Sequence, residues 1–179
     1  MDEQIAVVDA ENQFLRWAPR RVIHTQRLVH RSVYVLVFDG GDRLLIQRRH
    51  RNKQTYPGHW DISCAGHVGA DDYHAGPDDG LDAVYRLAAE RELAEELGVT
   101  APIEEIAHFA PVDGVHYEQI RLYRARWDAE IRIQAAEVEA TRWLTGEALA
   151  AMIGDGDAQL TMSLRWLADW LWKTGRWSR

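Results

Sequence analysis

Three carboxylates, Glu92, Glu95 and Glu96, stand at positions i, i+3 and i+4 within the run Arg-Glu-Leu-Ala-Glu-Glu-Leu-Gly-Val at 91–99. In a helix those positions share one face. Acidic side chains held that close repel one another unless a cation sits among them. Hard divalent cations such as Mg²⁺ take oxygen ligands, and one or two carboxylates together with substrate phosphates form a common set. Leu93 and Leu97 fall on the neighbouring stripe and can anchor such a helix in a core. Gly98 stands where a helix end favours a left-handed residue. A solvated acidic face is the competing reading of the same spacing.

A second chemical feature is the basic stretch Arg48, Arg49, Arg51 and Lys53. Guanidinium groups suit bidentate contacts to phosphate, so Arg48 or Arg49 is a candidate phosphate grip, against the alternative of solvated loop charge.

These groups have to be held by elements that the hydrophobic pattern predicts. Residues 5–8 and 13–17 flank a polar turn at 9–12 and read as a hairpin. Ser32 to Phe38 is nearly all apolar and rich in β-formers, as expected of a central strand buried on both faces. A turn at 39–42 leads to a partner strand at 44–47 and a basic loop at 48–53. A short strand at 62–65 ends at Gly66. Glycines, Pro77 and five aspartates make 69–82 a flexible loop, followed by a helix over 81–97. Further strands are expected at 103–109, 118–127 and 140–144. Helices follow at 145–152 and, after a turn at 155–157, at 161–172. Strands with intervening helices give an α/β fold with a mixed sheet. Trp166, Trp170, Trp172 and Trp177 have the spacing of a buried helical stripe with a frayed end; the alternatives are a homodimer face or a base-stacking platform.

The chain has 179 residues, a net charge of −7 and a single cysteine, Cys64. That length fits one domain, 1–179, with a proper core. The acidic balance argues against a general nucleic-acid or anionic-membrane binder. One cysteine forms no internal disulfide, which is compatible with a reducing cytoplasm. The polar start and the absence of a long apolar run point the same way.

The segment from Arg91 to Val99 is similar to the second half of the Nudix box, G-x5-E-x7-R-E-U-x-E-E-x-G-U with U aliphatic, and matches every specified position there. Thr55-Tyr56-Pro57-Gly58-His59-Trp60-Asp61 and Ala65-Gly66-His67-Val68 resemble the strand and loop that lead into the box. The likeness is greatest to the Nudix branch related to isopentenyl diphosphate isomerases and runs to Trp143-Leu144-Thr145. It implies a Nudix α/β/α sandwich and a Mg²⁺- or Mn²⁺-dependent hydrolase. The substrate class it implies is a small molecule with a diphosphate linkage, such as a nucleoside diphosphate derivative. It also implies Glu92 and Glu96 as metal ligands, Glu95 as a ligand or acting through water, and the Gly66 carbonyl as the loop's contribution. A glutamate outside the box, Glu118 or Glu137, would complete the site or act as base.

The first half of the box departs from the pattern. Gly66 and Glu92 are too far apart by about eleven residues, which places an insertion at 69–82. Counted back from Arg91, the box glutamate falls on Ala83, leaving Asp82 or Asp79 as substitute partners for Arg91. The insertion is expected to shape substrate choice or act as a lid, or else to be a tolerated surface expansion.

The rival functions are isomerisation of isopentenyl diphosphate and a Nudix module that only binds a ligand. His24, His30 and His67 fall close to the isomerase histidines, and His116 and Glu118 near its acidic positions, which together outline a second metal site. The isomerase cysteine, however, should stand immediately before Gly66, and that residue is Ala65. Cys64, one place earlier, would point to the opposite face of a strand.

Overall fold

The hub of the fold is β3 (His30–Phe38), all nine of whose residues are buried. The computed structural model describes residues 2–156 and 159–179. The last residue of the expected 155–157 turn lies outside the described residues. β3 follows β1 (Gln4–Val8), β2 (Phe14–Pro19) and α1 (Arg20–Gln26), and precedes β4 (Leu44–Arg49), β5 (Trp60–Asp61) and β6 (Cys64–His67). Then come a single 3-10 turn at Ala70–Asp72, α2 (Leu81–Leu97), β7 (Ile103–Phe109), β8 (Glu118–Arg126), β9 (Val138–Leu144), α3 (Gly146–Gly154) and α4 (Met162–Lys173).

β3 pairs in parallel with β8 along its whole length, from His30↔Glu118 to Phe38↔Arg126. It pairs antiparallel with β6, Tyr34 facing Ala65. β7 extends the sheet beyond β8, and β9 and β5 pair with β4. The sheet is therefore mixed. Alternation along β3 sends its side chains to two cores. Val33, Val35 and Val37 meet Val84, Tyr85, Ala88, Leu93 and Leu97 of α2. Tyr34, Leu36 and Phe38 meet Leu149 of α3 and Leu164, Leu167 and Leu171 of α4. Helices on both faces of a mixed sheet make the α/β/α sandwich. No helix among the described residues is long and apolar enough to cross a membrane.

Three expectations are corrected. The helix α1 was not foreseen, because Val22, Ile23 and Thr25 are weak helix formers. It is held by Ile23, buried against Ile5, Val7 and Ala18, and stops at Arg27 in a left-handed conformation. The chain end is not frayed: Trp177 packs edge-on against Phe38, and its indole N–H donates to the Asp42 carbonyl. The segment 69–82 is not a loose loop. Arg31, wholly buried on β3, donates to Tyr73 Oη, the Pro77 carbonyl and Asp78 on one side, and to the Oδ1 and carbonyl of Asn12 on the other. Asp78 in turn accepts the backbone N–H of Phe14. One buried guanidinium thus ties the insertion to the N-terminal hairpin. The insertion does not roof the cleft described below, whose lining skips from His67 to Arg91. The lid expectation fails on that placement.

Candidate active site

A cleft of about 1370 Å³ opens where the C-terminal half of α2 passes the end of β6. The acidic face of α2 enters it. Glu96 is buried and accepts Gln47 Nε2 at 2.9 Å. Glu92 lies directly against Gly66, so closely that a Cβ at 66 would fall inside its carboxylate. Burial raises the Glu92 carboxyl to about 7, against the pull of Arg91. Burial likewise raises Glu96. Two carboxylates, Glu96 buried and Glu92 half-buried, that are costly to ionise alone fit a site completed by a cation. Glu95 is the exposed member, tethered to Arg91 Nη1 at 3.3 Å.

The partner of Arg91 is Asp72, not Asp82 or Asp79. Asp72 Oδ1 accepts Arg91 Nε at 3.0 Å and Oδ2 accepts Nη2 at 2.9 Å, while Oδ2 also accepts the Gly69 N–H. Asp82 pairs instead with Arg121, and Asp79 holds the Gly76 N–H. Counted forward from Gly66, the sixth position is Asp72. The first half of the box is therefore present with Asp for Glu, and the extra residues follow it. Counting back across an insertion put the brace in the wrong place. From Arg91 the chain of contacts continues to Glu92 Oε1 at 2.8 Å and the His67 carbonyl at 3.2 Å.

Next to Gly66, His67 begins a second centre. One ligand atom each of His30, His67 and Glu118 lie within 4.8 Å of one another. His30 Nδ1 donates to the Leu28 carbonyl at 2.9 Å, which turns Nε2 inward; that buried Nε2 has no hydrogen-bond partner. It stands 3.5 Å from Glu118 Oε1. The His24 ring lies 5.1 Å from that of His67 and is oriented by Tyr117 Oη. Burial, then the neighbouring His30, pushes His67 well below the ordinary histidine range. Glu118 is held down to about 2: burial would raise it, but the adjacent His30 ring and the hydrogen bond from Tyr34 prevail. His116 does not join the centre. Its Nδ1 accepts the Glu118 N–H at 3.3 Å, so the neutral ring offers no second lone pair, and it packs on Trp166.

Of the two arginine candidates, Arg49 lines the cleft, steadied by Asp61 at 3.1 Å. Arg48 turns away to the Gly58 carbonyl. Lys53, read as surface charge in the sequence, reaches into the cleft to Glu137 and stands 3.9 Å from Glu96. Ala65 lines the cleft and Cys64 faces the α2 core, as a one-residue shift requires. Glu3, Arg20, Arg27, Ser32, Tyr34 and Ser163 also line it. Nothing local marks them, since the N-terminal segment, α1, β3 and α4 bring them together only on folding.

The description "NUDIX domain" matches residues 28–166, a stretch that holds both centres. The chain belongs to the Nudix family. Within that family it is an enzyme of the pyrophosphohydrolase class. It is 31% identical to isopentenyl-diphosphate Delta-isomerase 2 of Photorhabdus laumondii, over 87% of this chain and 84% of that protein. It is 32% identical to an uncharacterized Nudix hydrolase of Pseudomonas aeruginosa, covering 81% of this chain and 80% of that one. The fold resembles the crystal structure of DR0079 from Deinococcus radiodurans, with a TM-score of 0.71, 24% identity, and coverage of 89% and 92%. These likenesses put this Nudix chain in the isomerase-like branch. They agree with a cleft holding both an acidic box face and a histidine centre.

Proposed function

We propose that the protein is a cytoplasmic, Mg²⁺- or Mn²⁺-dependent hydrolase of a diphosphate linkage in a nucleoside diphosphate derivative or a related metabolite. We read residues 1–179 as one Nudix domain. The observation that carries this reading is the contact between Gly66 and Glu92, with Arg91 locked by Asp72 behind it. No side chain intervenes between the loop backbone and the box carboxylate, so carbonyl and carboxylate can share one cation. Glu92, Glu96 and the Gly66 carbonyl would hold it. When bound, a divalent cation neutralises phosphoryl charge and makes water more acidic.

The protein's own groups do the rest. Arg49 and Lys53, both lining the cleft, supply positive charge to the non-bridging phosphate oxygens. Arg91, held by Asp72, orients Glu92 instead of contacting substrate. Glu95, more exposed, can take a proton from the attacking water. Gln47 fixes Glu96 so that its carboxylate needs no reorganisation during the reaction.

The second reading is proton transfer on an allylic diphosphate, as the relatives' isomerase names suggest. The His30–His67–Glu118 cluster favours it, and its inward-facing His30 Nε2 suits a cation. Ala65 opposes it, having no proton to exchange at the position that the resemblance assigns to a thiol. The test is phosphate release from a panel of nucleoside diphosphate derivatives with Mg²⁺ or Mn²⁺, with isopentenyl diphosphate analysed for its isomer. Release that Glu96→Gln abolishes supports the hydrolase; isomer formation without release supports the second reading and overturns the first.

A further inference from the structure

Glu118 begins β8 opposite His30 and can serve two purposes. Its carboxylate can turn to the histidines as a ligand, or swing into the cleft as a base. Two hydroxyls from the same face of β3 decide between these. Ser32 Oγ donates to Oε1 at 3.2 Å, and Tyr34 Oη donates to Oε2 at 2.7 Å. The phenol is the stronger constraint. Tyr34 is 5% exposed, its ring is packed between β8 and α4, and Ser163 Oγ stands 3.4 Å behind its hydroxyl. A buried tyrosine has only two side-chain torsions to vary, so its hydroxyl pins Oε2. Oε1 is then the oxygen left 3.5 Å from the unpartnered His30 Nε2. Strand pairing sets the arrangement: residues 30, 32 and 34 alternate onto one face of β3, and the parallel register puts Glu118 at the end of that row.

We propose that Tyr34 is a positioning residue that commits Glu118 to the histidine centre as a ligand and withholds it from general-base work. The proposal rests on the reading of His30, His67 and Glu118 as a cation site. Nothing in the sequence singled out Tyr34, which there was simply one apolar position of a buried strand.

Co²⁺ is the probe, because its visible absorption reports ligand geometry. The intact protein is titrated with Co²⁺, followed by absorption and by calorimetry, and His67→Ala identifies the binding that belongs to the histidine centre. Groups that orient metal ligands are worth about 10- to 100-fold in affinity. Tyr34→Phe, which keeps the ring and deletes the hydroxyl, is therefore expected to weaken that binding by about 10-fold or more and to shift the absorption band. Binding that survives His67→Ala should be unchanged. Ser163→Ala, which touches the phenol and not the carboxylate, should behave as the parent. Unaltered affinity and band in a folded Tyr34→Phe protein overturn the proposal alone. A parent protein with no Co²⁺ binding sensitive to His67→Ala overturns the cation site and the proposal together. Should Tyr34→Phe fail to fold, Glu118→Gln tests the commitment itself: it is expected to weaken the His67-dependent Co²⁺ binding and shift the band, and unaltered binding there also overturns the proposal.

Discussion

Asp72 and Arg91, 19 positions apart in the chain, meet through two parallel hydrogen bonds of 3.0 and 2.9 Å. The contact closes the box across its insertion. Asp72 is buried and Arg91 is about one-third exposed, so the pair is partly shielded from solvent. Asp72→Ala leaves the guanidinium without its main partner and should destabilise the fold by about 2 kcal/mol. It should lower turnover by about 10-fold, because Glu92 loses its bracing. Urea unfolding alongside a rate assay checks both; an unchanged rate with lowered stability would confine Asp72 to a structural role.

Glu96→Gln keeps shape and removes the charge. Mg²⁺-dependent phosphate release should fall by about 100-fold or more, while circular dichroism stays that of the parent. Gly66→Ala should act through geometry, since its methyl group would displace Glu92. Its expected signature is a rise in the Mg²⁺ concentration for half-maximal rate. Full activity in both variants would remove the cation from these residues.

Arg31→Met deletes a buried charge that has five hydrogen bonds to the insertion and the hairpin. The expected loss is about 3 kcal/mol, with Asp78 freed toward solvent and so spared burial. Hydrogen exchange should accelerate at residues 12–14 and 73–79 before the rest of the sheet. Uniform acceleration across β3 and β8 would show that the insertion is not a separately releasable strap.

Asp39 provides a pH test away from the cleft. Burial would raise its pKa, but the N–H groups of Gly41 and Arg43 and the Arg43 guanidinium lower it overall. A carboxyl with a depressed folded pKa contributes stability above its unfolded value, near 4, and loses it as pH falls through the folded pKa. Asp39→Asn should cost about 1 kcal/mol at pH 7, a difference that shrinks toward pH 3. A cost independent of pH would attribute the effect to packing of the turn.

Much of this was legible along the chain. The run from Arg91 to Val99 set the box helix, its acidic face and its glycine stop, because helical spacing alone fixes which side chains share a face. The continuous apolar, β-forming run at 32–38 marked the central strand, and the register of Cys64 against Ala65 told which residue would see the cleft. Folding had to decide whatever depends on parts far apart in sequence. Asp72 could not be matched to Arg91 by counting back, because an inserted segment changes spacing but not the space it bridges. Arg31 drew no notice in the sequence, and its role emerged only where Asn12 of the hairpin and Asp78 of the insertion met it. Resemblance had outlined a histidine centre, but only the parallel pairing of two strands selected His30 and Glu118, with His67, from the five candidates. Tyr34 acquired its role only where that pairing set its hydroxyl against Glu118. Local pattern follows from backbone geometry repeated residue by residue, whereas these contacts follow from loop closure and packing, which no short window of sequence contains.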